Sequence, residues 1–367
     1  MKDAIYNNFK VHEVIGRYLT NDSISGFITS LDKRFAISVI GKSVENKPIK
    51  CITFGEGPIR ILMWSQMHGN ESTTTKAAMD FLNFFSLPSE ESGRCFQNCT
   101  IKIIPILNPD GAAAYTRVNA NEIDLNRDAQ DQTQPESVAL KTCFDAFKPH
   151  YCYNLHDQRT IYNVGKTNKP ATVSFLAPAF DEERSMSASR NASMQLIAGM
   201  NETLQQTIPG QVGRYDDSFN PNCVGDSFQM TNTPTILFEA GHFSKDYARE
   251  KTRKFIFIAL KTSIDIIISN KILDYSVQDY NDIPENGKQF YDVIIKNAGI
   301  IDKSLSIEDS IGILFREILH ENEIYFEPEI VNKSLEAFDF FGHKVVDCKK
   351  KKDVEWLTNN GITNLLR

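Results

Sequence analysis

Residues 59–85 read IRILMWSQMHGNESTTTKAAMDFLNFF, and the fold follows from how this stretch changes character. Ile59 to Trp64 form an apolar, β-prone run. It breaks at a polar turn holding His68, Gly69, Asn70 and Glu71, after which apolar residues recur at helical spacing from Lys76 to Phe85. The strand edge therefore delivers a histidine and a glutamate together. A neutral imidazole and a carboxylate are two of the three protein ligands that hydrolytic zinc sites use, with the fourth position left to water. Alone, the tetrapeptide admits two readings: a pair of metal ligands, or polar residues capping the next helix.

Outward from this stretch, residues 4–20 read as one amphipathic helix. Residues 34–57 read as two β-prone runs around a turn at Glu45 and Asn46, a hairpin entering a sheet. C-terminally come a polar loop near 88–98 and the buried-strand pattern TIKIIPILNPDG. Next are a helix over 136–147, the strands YCYNLHD and ATVSFLAP, and a long helix over 181–207. A Gly/Asn/Asp-rich loop over 209–227, the strand TPTILFEAG and a helix over 246–270 complete the series. Strands alternating with helices predict an α/β fold, a mixed and largely parallel sheet flanked by helices. In such sheets function gathers beyond the carboxyl ends of the strands. Here those ends carry His68 and Glu71, Asn108 to Gly111, His156 and Asp157, and Glu239.

The composition shifts near Asp279. YNDIPENGKQ is linker-like, and from Phe290 onward short β-prone pieces alternate with turn residues. The expected division is a domain over 1–279 and a small β-rich domain over 280–367.

A net charge of −7, with basic residues scattered except for Lys349 to Lys352, argues against a nucleic-acid partner, and that basic run reads as a solvated turn. The first residues lack the apolar run of a signal peptide, and no window approaches a membrane span, so a cytoplasmic protein without a membrane partner is expected. Seven cysteines without framework spacing agree with a reducing compartment and serve as small core residues.

Five motifs in order then resemble the zinc metallocarboxypeptidases, the M14 peptidases, and particularly their compact bacterial cytosolic members. They are HGNE, NPDG, the Arg117 to Asn121 and Asp124 to Arg127 block, LHD and FEAG, within residues 40–265. The resemblance implies that His68, Glu71 and His156 hold Zn2+ and that Glu239 is the general base. It implies that Arg117 steadies the oxyanion, and that Asn126 and Arg127 grip a substrate carboxylate, for which guanidinium offers a planar fork of donors. Asp157 is read either as orienting a ligand imidazole or as an ordinary loop cap. NPDG reads as a scaffolding turn and His242 as a structural histidine.

The sequence also departs from the digestive-type pattern. Asn70 stands where those enzymes place an arginine, and Tyr215 is the nearest candidate for the tyrosine that closes over substrate. Asp226, the acid within NPNCVGDSFQM, is either a pocket carboxylate favouring an ammonium-bearing side chain or a turn-forming residue. The expected activity is hydrolysis of the amide next to a residue with a free carboxylate, as a carboxypeptidase or cell-wall-peptide amidase. An N-acyl-amino-acid deacylase of the aspartoacylase or succinylglutamate desuccinylase type is the alternative. A non-catalytic peptide-binding relative is a second. The partner is accordingly a peptide or an acylated amino acid.

Overall fold

The structure is a computed structural model that describes residues 3–159, 161–335 and 340–366. In chain order the strands are β1 (Ala36–Lys42), β2 (Pro48–Phe54), β3 (Ile59–Ser65), β4 (Cys99–Ile104) and β5 (Tyr151–Asp157). There follow the short β6 (Asn163–Val164), β7 (Val173–Leu176), β8 (Val212–Arg214), β9 (Thr235–Ala240) and the short β10 (Asn286–Gly287). The last four are β11 (Phe290–Lys296), β12 (Ser310–His320), β13 (Glu323–Leu335) and β14 (Phe341–Asp347).

Eight of these make one sheet in the order β1-β2-β4-β3-β5-β9-β7-β8. Its centre, β4-β3-β5-β9, is parallel, while the β1-β2, β2-β4 and β7-β9 pairings are antiparallel. The expected mixed, largely parallel sheet is thus the one observed. Alternate residues of β3 explain its unbroken apolar run. Ile61 and Met63 join a core with Ala77 and Phe81 of the helix Thr73–Ser86, whereas Leu62 and Trp64 join a second core with Leu140 and Phe144 of the helix Pro135–Phe147. Both faces are covered, so neither face of the strand can be polar.

The helix Thr73–Ser86 is so deeply enclosed that its charged residues Lys76 and Asp80 are buried as well. Lys76 pairs with Glu250 at 2.6 Å and donates to the Ala248 carbonyl at 2.7 Å. Asp80 accepts from Arg253 Nε at 2.6 Å and from the Val11 amide at 2.8 Å. Arg253 also donates to the carbonyls of Val11 and Val14, at 2.9 and 2.5 Å. These bonds overturn the expected helix over 4–20: only Asp3–Tyr6 is helical. The Val11 amide and the Val11 and Val14 carbonyls are taken by Asp80 and Arg253, and Phe9 packs against Phe84 and Phe257 instead of lying on a helical stripe.

Three other local expectations change. The polar stretch near 88–98 contains the helix Glu90–Asn98, begun by Ser89 accepting the Ser92 amide at 3.0 Å. The helix expected from 181 starts at Ala188 behind the cap Ser187. The loop expected over 209–227 contains β8 and the start of the helix Val224–Met230.

Beyond β10, the strands β13-β12-β11-β14 form a separate sheet with its own core, including Val293, Ile295, Ile313, Val346 and Leu357. The basic run begins as the expected exposed turn, with the Lys350 amide donating to the Asp347 carbonyl at 2.9 Å, and its second half, Lys351 and Lys352, opens the helix Lys351–Asn359. This sheet reaches the main one through Glu317 of β12. Its carboxylate is 5% exposed and pairs with Arg17 at 2.9 Å, with Arg159, and with the hydroxyl of Tyr115. Tyr247, from the segment after β9, packs on Phe315 and Phe326 and donates to Asp292 at 2.6 Å.

Burial alone would raise the Glu317 carboxyl, but Arg17, Arg159 and Arg249 outweigh it and lower it from 4.5 to about 2. Its stabilising effect is therefore present above about pH 4.5 and is lost as pH falls toward 2. Glu317→Ala leaves Arg17 buried without its partner and should cost roughly 3–5 kcal/mol in denaturant unfolding. The variant should also lose less stability than the parent on acidification from pH 5 to 3. Unchanged stability with an unchanged acid profile would mean that Glu317 does not hold the two sheets together.

Candidate active site

The turn after β3 is shaped by its contact with the turn after β4. Gln66, at φ 43°, donates to the Gly69 carbonyl at 2.8 Å and closes the loop. A Cβ on Gly69 would lie 1.9 Å from the Gly111 carbonyl carbon, so only glycine lets the two turns touch. Within NPDG, Asn108 accepts the Gly111 amide at 2.8 Å and donates to the Met67 carbonyl at 3.2 Å, which is the scaffolding work read from that motif.

His68, Glu71 and His156 meet at this edge, with their nearest ligand atoms within 4.8 Å of one another and all three residues buried. Glu71 lies between the imidazoles: Oε1 is 2.9 Å from His68 Nδ1, Oε2 is 2.9 Å from His156 Nδ1, and the two Nδ1 atoms are 3.1 Å apart. A tetrahedral zinc with bonds of about 2.1 Å separates its ligand atoms by roughly 3.4 Å. The set therefore fits a zinc ion in donor type and in spacing.

His68 Nε2 faces Asp124 Oδ1 at 3.0 Å, so the ring is oriented by a carboxylate on the side away from Glu71. Asp124 Oδ2 accepts from Arg117 Nε at 3.0 Å, and Arg117 Nη1 is 3.5 Å from Glu71. Burial would raise the Asp124 carboxyl, but His68, Arg117 and the Asn126 amide hold it well below the usual range.

Of the two readings of Asp157, capping is the one observed. Its carboxylate accepts the Thr73 and Thr74 amides at 2.8 and 3.1 Å, at the N-terminus of the helix Thr73–Ser86. His242 is bonded to Arg249 at 2.8 Å, in keeping with a structural histidine.

Parallel pairing of β5 with β9 sets His156 beside Glu239 in register. Glu239 Oε2 is buried without a hydrogen-bond partner. Burial first, then Glu71 and Asp157, push this carboxyl well above the usual range. A bound cation nearby would pull it back down.

His68, Glu71, His156, Arg117 and Glu239 line one cleft of about 460 Å³ together with Asn126, Arg127, Tyr215 and Asp226, the residues given metal, catalytic or substrate roles in the sequence. Asn126 Oδ1 accepts the Val224 amide at 3.1 Å, leaving its Nδ2 as donor. Arg127 Nη1 donates to the Asn126 carbonyl at 2.7 Å and to Cys223 Sγ at 3.0 Å. Tyr215 meets Tyr162 edge-on, with centroids 5.5 Å apart. Asp226 is buried in the first turn of the helix Val224–Met230, and burial raises its carboxyl to about 7.

Sequence reasoning missed Arg159, Tyr162 and Cys223 as cleft residues, and it assigned no role to Asp124. Arg159 lies just past the LHD motif and could have been marked from position; Cys223 carries no such signal.

A family signature for zinc carboxypeptidase, peptidase M14, matches residues 22–202. Carboxypeptidase SOL1 of Arabidopsis thaliana is 29% identical over 153 residues, which cover 35% of this chain and 31% of that protein. Human carboxypeptidase D is 26% identical over 190 residues, covering 44% of this chain and 13% of that protein. The chain thus spans less than a third of the length of these relatives. Among solved structures, a metallo-carboxypeptidase from Burkholderia cenocepacia superimposes with TM-score 0.54 at 14% identity, covering 69% of this chain and 70% of that one. One from Pseudomonas aeruginosa, in complex with (2-guanidinoethylmercapto)succinic acid, gives 0.54 at 15%, covering 68% and 69%. At such identities these two establish the shared fold. Residues 22–202, just under half of the chain, carry the signature of the zinc carboxypeptidase (M14 peptidase) family, and this is the family the chain resembles. No helix among the described residues is long and apolar enough to cross a membrane.

Asp124→Asn keeps shape but removes the charge facing His68. It should weaken zinc binding about 10- to 100-fold in a chelator competition, while His156→Ala should retain no stoichiometric zinc. Parent-like affinity in Asp124→Asn would show that the contact does not tune the centre.

Proposed function

We propose that the protein hydrolyses the amide bond next to a residue with a free carboxylate, as a zinc-dependent carboxypeptidase or cell-wall-peptide amidase. The observation that carries this reading is the meeting of His68, Glu71 and His156 with Glu239 in one cleft, with Arg117, Asn126 and Arg127 around them. Zinc held by the first three residues would polarise the scissile carbonyl and lower the pKa of water toward ~7. Glu239 then takes the proton of the attacking water and passes it to the leaving amine. Arg117 faces the charge that develops on the carbonyl oxygen. Arg127, with the Asn126 amide beside it, holds the substrate carboxylate, and Tyr215 packs over the leaving residue.

Residues 1–279 are the catalytic domain in this reading and 280–367 an accessory domain, supported by the separate core of the second sheet. Seven cysteines, all free and six of them buried, support a reducing, cytoplasmic setting.

Glu239→Gln should retain zinc yet lower turnover by at least ~10²-fold. Near-parental turnover with zinc in place would mean that another group moves the proton.

Substrate recognition is tested with peptides ending in lysine, leucine and lysine amide, alongside N-acetyl-aspartate and N-succinyl-glutamate. Amidation should lower kcat/KM by an amount corresponding to roughly 2–5 kcal/mol, because Arg127 and Asn126 lose their charged partner. Asp226 titrates near 7 and is ionised above that value, so a lysine preference should grow as pH rises through about 7. Equal hydrolysis of free and amidated peptides points to an endopeptidase, and faster cleavage of the two acyl amino acids points to a deacylase.

A further inference from the structure

Arg159 lines the cleft, yet its recorded partners differ from those of Arg127. Three contacts, to Glu317, to the Tyr115 hydroxyl at 3.3 Å and to the Asn70 carbonyl at 3.2 Å, all use Nη1. Its guanidinium carbon also lies 5.5 Å from the centroid of the Tyr115 ring. Among the described residues no side-chain hydrogen bond uses Nε or Nη2, and the side chain is 30% exposed. One corner of the guanidinium is thus pinned three times, while the adjacent edge, with two parallel N–H donors, carries none of these bonds on a residue that lines the cleft. That edge has the geometry that takes a carboxylate through two bonds.

The neighbouring cations of the junction cannot serve this way. Arg17 and Arg249 are 3% and 1% exposed and do not line the cleft. Glu317 is itself fixed, because it is shared between Arg17 and Arg159. Arg159 also approaches Asn70, the residue between the ligand candidates His68 and Glu71. The notable departure from the digestive-type pattern was the loss of a cation at that position. Here a cation reaches the same turn from the end of β5.

We propose that Arg159 is a second carboxylate-binding residue of the cleft, pinned through Nη1 by Glu317 of the C-terminal sheet and offering its Nε–Nη2 edge to an acidic group on the acyl side of the scissile bond. This rests on the hydrolase reading for the direction in which substrate lies: Arg127 and Asn126 hold the leaving residue, and Arg159 takes the residue before it. Substrates would then carry two carboxylates, one on each side of the bond. Glu317 is a positioning residue, acting through Arg159.

The test is calorimetric binding of N-acetyl-Glu-Lys and N-acetyl-Gln-Lys to zinc-loaded, full-length Glu239→Gln protein, which reports binding without turnover. The acidic peptide should bind about tenfold more tightly, the low end for a charge-assisted bond, and the contrast should shrink with added salt. Adding Arg159→Gln should abolish the contrast without altering zinc content, and Glu317 keeps Arg17 as partner in that variant. Arg159→Lys, a point charge without a fork, should retain part of it. Equal affinities, failure of both peptides to bind, or a contrast that survives Arg159→Gln would each overturn the proposal. Turnover by the parent separates this from the hydrolase reading. Cleavage of both peptides with equal binding removes Arg159 alone, and a binding contrast without cleavage keeps Arg159 and removes the hydrolase.

Discussion

Glu71 is 3% exposed, with each carboxylate oxygen 2.9 Å from an imidazole nitrogen, and that burial of charge is the constraint on which the rest of the centre depends. An isolated buried carboxylate costs several kcal/mol or more unless it is paired or coordinated. Both rings must therefore be held within reach, by elements that cannot drift. β3 and β5 lie side by side at the middle of the sheet, so that His156 leaves the sheet next to the His68–Glu71 turn. The NPDG turn presses on Gly69 from beneath, and Asp157 ties the end of β5 to the first turn of the helix that follows Glu71.

Polar contacts then run outward from the carboxylate in a chain. Glu71 faces His68, His68 faces Asp124, and Asp124 faces Arg117, each within 3.0 Å. Glu239 is the exception, a buried carboxylate with an unpartnered oxygen beside the imidazoles. An unpaired buried acid is destabilising in a resting fold. In the proposed hydrolysis the same group takes the proton of the attacking water and passes it on.

The second sheet is attached by the same logic. Burying Glu317 among guanidinium groups welds residues far apart in the chain, Arg17 and Arg159, to a hairpin beyond position 310. Because Arg159 is also a wall of the cleft, the C-terminal sheet is mechanically connected to the site and is more than a neighbour of it.

How much of this was legible varies with the range of the interaction. The strand, turn and helix around residues 59–85, the alternation of strands and helices, and the types of chemical group at each strand end were determined by the sequence itself. Apolar periodicity and turn chemistry are local properties, and they act before any long-range contact forms. The motif order added the identities of the candidate ligands.

Tertiary structure alone decided which carboxylate serves which partner. Asp157, adjacent to His156, caps a helix, whereas Asp124, 56 residues from His68, orients that ring. It also decided that residues 7–20 do not form a helix: Asp80 and Arg253 take the Val11 amide and the Val11 and Val14 carbonyls at the middle of the stretch. The link from Glu317 to Arg159 spans 158 residues and has no counterpart in any periodicity. Pairings of that kind depend on which strands become neighbours in the sheet, and a one-dimensional pattern carries no record of that choice.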